Sequence, residues 1–168
     1  MHQSSSASFI PLSLALKQKA ALLGFLDISD WKNPVAITLT MKQGQFIGGA
    51  FAVLTPDLCT QNLRHVSNVL NRKAFGKASR KRKMKCVAVR EQSKDGRYHY
   101  HLVLDRPEQF GDFRFRFMVE AAWRNSRWGH RQSSYESLAD QGWVSYIAKL
   151  KSKPNYLDAF DWENTQLA

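Results

Sequence analysis

The chain is poor in cysteine, in acidic side chains and in long apolar runs. Cys59 and Cys86 are the only two cysteines among 168 residues, and their spacing matches no zinc site. They read as reduced, structural thiols of a cytoplasmic protein in a bacterial host, or of a nuclear one if the host is eukaryotic. No apolar run approaches the roughly 18 residues that a membrane span needs, so no membrane partner is expected. The opening Met-His-Gln-Ser-Ser-Ser lacks a basic segment, a continuous apolar core and a small-residue cleavage site, which argues against a secretory signal. No Gly-x-x-x-x-Gly-Lys motif is present, so the residues given carry no nucleotide-driven helicase of their own. There is no internal repeat and no long linker. The length fits one domain, and a hydrophobic content of 43% suffices for a core.

Acids number 14 against 25 Lys plus Arg, giving a formal charge of +11 and a pI near 9.9. A globular chain so basic suits a polyanion, nucleic acid ahead of an anionic membrane. Much of the excess lies in one run: Arg72, Lys73, Lys77, Arg80, Lys81, Arg82, Lys83 and Lys85, with no acid among them. A solvated surface or a nuclear-localisation signal would have this composition, but its density favours contacts to DNA phosphates by Lys77, Arg80, Lys81, Arg82, Lys83 and Lys85.

The chemistry concentrates in Arg97-Tyr98-His99-Tyr100-His101-Leu102-Val103-Leu104-Asp105. This reads as a strand, on which His99 and His101 project from one face about 7 Å apart. Cys86–Glu91 reads as the strand before it, and Lys94-Asp95-Gly96-Arg97 as the hairpin turn between them. Antiparallel pairing across that turn brings Glu91 to the two histidines. Two imidazoles and a carboxylate with open positions suit Mn²⁺ or Mg²⁺, and can take Zn²⁺, Ni²⁺ or Co²⁺. The bland alternative is two solvated histidines on a sheet face.

Elsewhere the spacing predicts a helix over Pro11–Leu26, a strand over Val35–Met41 with Thr38 and Thr40 on its second face, and a glycine-broken loop at Gly44–Gly49. Thr55 caps a helix that Pro56 opens and that runs to about Lys73. A helix from Asp112 to Trp123 and a strand over Arg127–Tyr135 follow. His130 reads as a polar strand residue. The last helix is Gln141–Lys153, where Tyr146 and Lys149 share one face, and Trp143, Ile147 and Leu150 another. Pro154 stops it, and Asn155–Ala168 reads as a loosely packed tail.

Taken in order, Ile37-Thr38-Leu39-Thr40, then Glu91 with His99-Tyr100-His101, then Tyr146-Ile147-Ala148-Lys149 resemble the three motifs of the HUH endonucleases, specifically the rolling-circle replication initiator (Rep) group. Arg90–His101 looks like the second motif of geminivirus-type Rep domains, with Tyr100 where that motif commonly has an aliphatic residue. Trp123 through Gly129 to Tyr146 and Lys149 also looks like small bacterial plasmid and phage initiators. The resemblance covers roughly residues 35 to 153, leaving 1–34 as an N-terminal segment with a packed helix and 154–168 as a tail.

The resemblance implies an α+β fold: a central antiparallel sheet of about five strands, RRM- or ferredoxin-like, with packed helices. It implies His99, His101 and Glu91 as ligands of a divalent metal, Mn²⁺ or Mg²⁺, and Tyr146 as nucleophile, forming a covalent 5′-phosphotyrosine on single-stranded or hairpin DNA. Lys149 would stabilise the phenolate or the phosphate, since a free phenol ionises only near pH ~10. Glu120 and Glu136 compete as ligands only if the fold brings them close, and Tyr156 is the alternative nucleophile. A host helicase would supply unwinding. Three other readings remain: a single-stranded-DNA transposase of the same superfamily, a non-catalytic RRM-like binding module, and a hydrolase that activates water at Glu91, His99 and His101.

Overall fold

A computed structural model of the chain describes residues 12–147 and 156–168. The order of elements is α1 (Leu12–Phe25), β1 (Pro34–Met41), β2 (Gly44–Ile47), β3 (Ala50–Val53), α2 (Pro56–Phe75), β4 (Cys86–Gln92), β5 (Tyr98–Asp105), α3 (Asp112–Arg124), β6 (Gly129–Glu136) and α4 (Gln141–Ile147). The fold is α+β, an antiparallel four-stranded sheet in the order β4-β5-β1-β6 with helices on both faces, plus a separate β2-β3 hairpin.

Each face of the sheet follows from alternation along its strands. Val35, Ile37, Leu39 and Met41 of β1 share a face with Tyr100, Leu102 and Leu104 of β5 and with Cys86 and Ala88 of β4. That face is buried beneath Cys59, Leu63, Val66 and Leu70 of α2 and Phe115, Val119 and Trp123 of α3. The helical period of the apolar residues in α2 keeps them on the sheet side. Thr55 caps this helix as the sequence requires, its Oγ1 accepting from the Leu58 N–H at 3.3 Å, with Pro56 in the first turn.

The second face is apolar at one end only. Ala36, Val89 and Val103 meet Leu22, Leu26 and Ile28 at the end of α1, and Val144 and Ile147 of α4. Towards the other end the same face carries Thr38, Thr40, His99, His101, Glu91 and Ser134, which stay polar and partly open.

Two segments differ from their sequence reading. Gly44–Gly49 is not a plain loop: with residues 50–53 it forms the β2-β3 hairpin, closed by Gly48 and Gly49 at φ 57° and 86°. Two successive left-handed residues are what a tight hairpin turn demands, and only glycine takes them freely. Nor is the C-terminal segment loose. Cys86 and Gln166 exchange backbone hydrogen bonds of 2.6 and 2.7 Å, and the Asp161 N–H donates to Ala88 O at 2.9 Å. Phe160 and Asp161 are buried. The segment therefore covers the outer edge of β4, whose unpaired amides would otherwise be open to another strand. Both cysteines are buried free thiols, and loss of hydration pushes each up to about 12.

Gly129 marks a close approach at the start of β6. A β-carbon there would stand 1.9 Å from the Trp123 carbonyl oxygen, so any side chain would drive α3 away from the sheet. In the structure α3 is instead held by the Trp123 indole N–H, which donates to Thr40 O at 2.9 Å.

Candidate active site

The hairpin register sets the site. Glu91 of β4 lies directly opposite His99 of β5, and Thr38 and Thr40 of β1 lie opposite His101 and His99 from the other side. Residues paired across strands share a face, so all five side chains stand on the second face of the sheet.

His101 bridges its neighbours. Its Nδ1 is 3.0 Å from Thr38 Oγ1 and its Nε2 is 3.1 Å from Glu91 Oε2. Both side chains of the latter pair are largely buried, at 17% and 13% exposure, so their attraction is little screened. His99 stands edge-on to His101 with ring centroids 5.8 Å apart, above a hollow formed with Thr40, Lys94, Asp95, Arg97 and Gln132.

The fit to a divalent cation can be judged from these distances. Two ligands at right angles on an octahedral ion with bonds of ~2.1 Å are about 3.0 Å apart, close to the Glu91–His101 spacing. A hydroxyl on the far ring nitrogen, as Thr38 provides, is the usual way a ligating histidine is oriented. No three His, Cys, Asp or Glu side chains among the described residues converge tightly enough to form a metal cluster. Glu91 and His101 are therefore brought together, while His99 is beside them on the same face. The donor chemistry fits a hard cation, with two of three expected ligands already at ligand spacing.

Tyr146 reaches this face through α4. Gln141 clamps the start of that helix to the end of α1: its Oε1 accepts from Ile28 N–H at 3.1 Å, and its Nε2 donates to Leu23 O and Leu26 O at 3.3 and 3.4 Å. The Ala139 N–H donates to Pro34 O at 2.9 Å, tying the approach to β1. Asp140 Oδ1 accepts from the Trp143 N–H at 3.1 Å in the manner of a helix cap. Val144 and Ile147 are then buried against the sheet, while Tyr146 is left 64% exposed. Its ring packs edge-on against Trp143 with centroids 5.7 Å apart.

Tyr146 and His101 line the same cleft, about 410 Å³ in volume, together with Thr38, Ser134, Glu136 and Asp140. Thus the strand with the paired histidines and the helix with the tyrosine face each other across one open space.

A family model matches residues 34–155, from the first residue of β1 to beyond α4. The chain belongs to the Replication-associated protein ORF2 family. This is a family of rolling-circle replication proteins, and origin DNA is the partner that membership implies. No curated protein and no solved structure gives a match.

Within this replication protein the other expected site residues are distributed unevenly. Lys149 lies outside the described residues, as does the side chain of Tyr156. Lys77 and Arg80 belong to a 3₁₀ turn, Gly76–Arg80, and Lys81, Arg82, Lys83 and Lys85 lead from it into β4. They sit at the opposite end of that strand from Glu91, about 16 Å away at ~3.3 Å per residue. Lys85 is 3.5 Å from Asp30, and the Arg82 guanidinium lies 4.6 Å above the Phe75 ring. Glu120 is excluded as a ligand, because α3 covers the first face and Glu120 there pairs with Arg116 and Arg124 at 3.0 and 3.1 Å. Glu136 does face the cleft. Ser134 and Asp140 also line it, and no motif or spacing in the sequence marked either one. No described helix is long and apolar enough to cross a membrane.

Proposed function

We propose that this protein initiates rolling-circle replication by nicking one DNA strand and later rejoining it through a covalent 5′-phosphotyrosine at Tyr146. The observation that supports it most is the cleft shared by Tyr146 and His101, on the sheet face that also carries His99 and Glu91. Family membership supplies the biological setting.

In this reading the scissile phosphate enters the cleft between α4 and β5. His99, His101 and Glu91 hold Mn²⁺ or Mg²⁺, which supplies Lewis-acid polarisation and orientation of the phosphate. Thr38 fixes the His101 ring. Tyr146 Oη forms a bond to phosphorus as the P–O3′ bond breaks; the phenolic proton passes to solvent at the open side and the leaving 3′ oxygen takes one up. The ester keeps the energy of the broken bond, so attack by a 3′-OH reverses the step and joins strands. Lys149, three residues on, contributes positive charge against the phenolate and phosphate. The substrate must be unpaired, because a phosphate in a duplex cannot be placed between a sheet and a helix. Unwinding then falls to a host helicase or to an extruded hairpin. Lys77, Arg80, Lys81, Arg82, Lys83 and Lys85 hold phosphates further along the strand.

The test is a cleavage assay on a pool of single-stranded oligonucleotides with Mn²⁺, comparing wild type with Tyr146→Phe on a denaturing gel. A protein–DNA adduct in wild type and none in the variant is expected. Cleavage by both proteins with no adduct would replace this reading with a water-activating hydrolase.

A further inference from the structure

The β2-β3 hairpin carries an outer face that its own fold does not use. Phe46 and Phe51 are directly paired across it, 76% and 60% exposed, with ring centroids 5.3 Å apart, and Val53 beside them is 63% exposed. The inner face does the packing: Ile47 and Ala52 rest on the core. Phe51 also lies across Gly44, where an added β-carbon would meet its ring at 2.5 Å. The hairpin thus presents two aromatic rings side by side to solvent.

Its base is fastened at the histidine end of the sheet. Gln43 O accepts from the Leu54 N–H at 2.9 Å. Gln43 Oε1 accepts from the N–H of Tyr98, the residue before His99, at 3.0 Å. Lys42 Nζ and Gln45 Nε2 both donate to Arg127 O, at 3.4 and 2.9 Å. The surroundings are basic. No acid occurs between Asp30 and Asp57, and Lys94 and Arg97 edge the hollow at His99, with Arg97 sharing its charge with Asp95 at 3.3 Å.

From these features we propose that Phe46 and Phe51 form a stacking platform for unpaired bases of the single-stranded DNA strand that leads into the cleft. This deepens the nickase reading and rests on it for the identity of the strand. Two observations select the occupant. The platform continues from the hollow at His99, so a strand crossing the histidines reaches it. The local cations and the net charge of +11 repel a second copy of this chain but attract a polyanion. Exposed rings beside Lys and Arg match the combination that holds single strands without sequence preference, in which cations take the phosphates and rings take the base faces. A duplex, its bases already stacked, gains nothing from the rings.

The experiment is equilibrium binding of a fluorescein-labelled single-stranded oligonucleotide to the Tyr146→Phe protein in EDTA, where neither chemistry nor metal intervenes. Failure of the nickase reading, seen as no adduct in wild type, is therefore separable from failure of the platform. Phe46→Ala and Phe51→Ala are each expected to weaken single-strand binding about tenfold, leave duplex binding unchanged and leave the salt slope as it was. Phe51→Trp should restore affinity and show emission quenched by bound DNA. With an oligonucleotide made abasic along its length, Phe51→Ala and the parent protein should bind equally. Unchanged affinity in both alanine variants would overturn the proposal. So would equal losses on abasic and normal strands, or a dimer in sedimentation that the alanine variants dissolve.

Discussion

The Tyr100 hydroxyl donates to Asp161 Oδ2 at 2.6 Å on the side of β5 opposite His99 and His101. Strand alternation makes this unavoidable: the residue between two outward histidines points into the core. Asp161 also accepts from Asn164 Nδ2 at 2.8 Å, so the segment that covers the β4 edge is locked to the centre of the histidine strand. Asp161→Ala leaves a buried phenol and a buried amide without their partner. A loss of roughly 2–3 kcal/mol in folding stability is expected, read as a lower urea midpoint, with Tyr100→Phe costing less because the carboxylate keeps Asn164.

Alkaline pH should weaken the fold before it affects neutral-pH behaviour. Burial, followed by the Asp161 hydrogen bond, raises the Tyr100 phenol well above its usual range; burial and Asp112 do the same for Tyr135. A raised folded value means that the folded state favours the neutral group. That stability is complete below the unfolded value of about 10 and is lost as pH climbs from there toward the folded value. Cys59 and Cys86, pushed from 9.0 to about 12 by burial, add the same sign from pH 9 upward. Urea denaturation from pH 8 to 11 should show falling stability, with a shallower fall in Tyr100→Phe.

Those thiols should also be inert in the native protein. Both are buried and held neutral, and the thiolate is the reactive form. A thiol reagent at pH 8 is expected to label neither cysteine until denaturant is added; rapid labelling in buffer alone would show that the C-terminal segment leaves the β4 edge.

What could be read from sequence followed from local signals. The β-branched run Val35–Met41, the Asp95-Gly96 turn, and the Thr55-Pro56 cap each contain their own instructions, and they were enough to place Glu91 opposite His99. Other features depend on partners distant in sequence. Gly44, Gly48 and Gly49 dilute the short apolar runs around Phe46 and Phe51, so the hairpin pattern is too brief to stand out. Residues 160–166 acquire their order only by binding β4, and nothing within them announces it. The meeting of Tyr146 with His101 is set by Gln141 and Ala139 reaching α1 and β1, contacts that no spacing rule encodes; there the motif order of the replication initiators was the guide.

Thr38 should matter to the metal without touching it. Its hydroxyl, 3.0 Å from His101 Nδ1, fixes the ring whose other nitrogen faces Glu91. Losing such an outer partner typically lowers metal affinity roughly 10- to 100-fold. Thr38→Ala is expected to do so for Mn²⁺ by calorimetry, with Glu91→Gln weaker still and the circular dichroism of both unchanged. Wild-type titration in Glu91→Gln would remove that carboxylate from the ligand set.

The run from Arg80 to Lys83 is the clearest place to separate DNA holding from DNA cutting. It stands at the other end of β4 from Glu91, so neutralising it leaves the cleft intact. Every cation removed from a phosphate should reduce the salt slope of single-strand binding by about 0.7 and weaken all sequences alike. Replacing Arg80, Lys81, Arg82 and Lys83 by Gln should therefore lower affinity most at low salt, while adduct formation at saturating protein stays near wild type. A weakened affinity with an unchanged slope would mean that the run acts through the fold, through Arg82 on Phe75 for example, and not through phosphates. Loss of adduct at saturation would instead bring these cations close to the nick, which the length of β4 argues against.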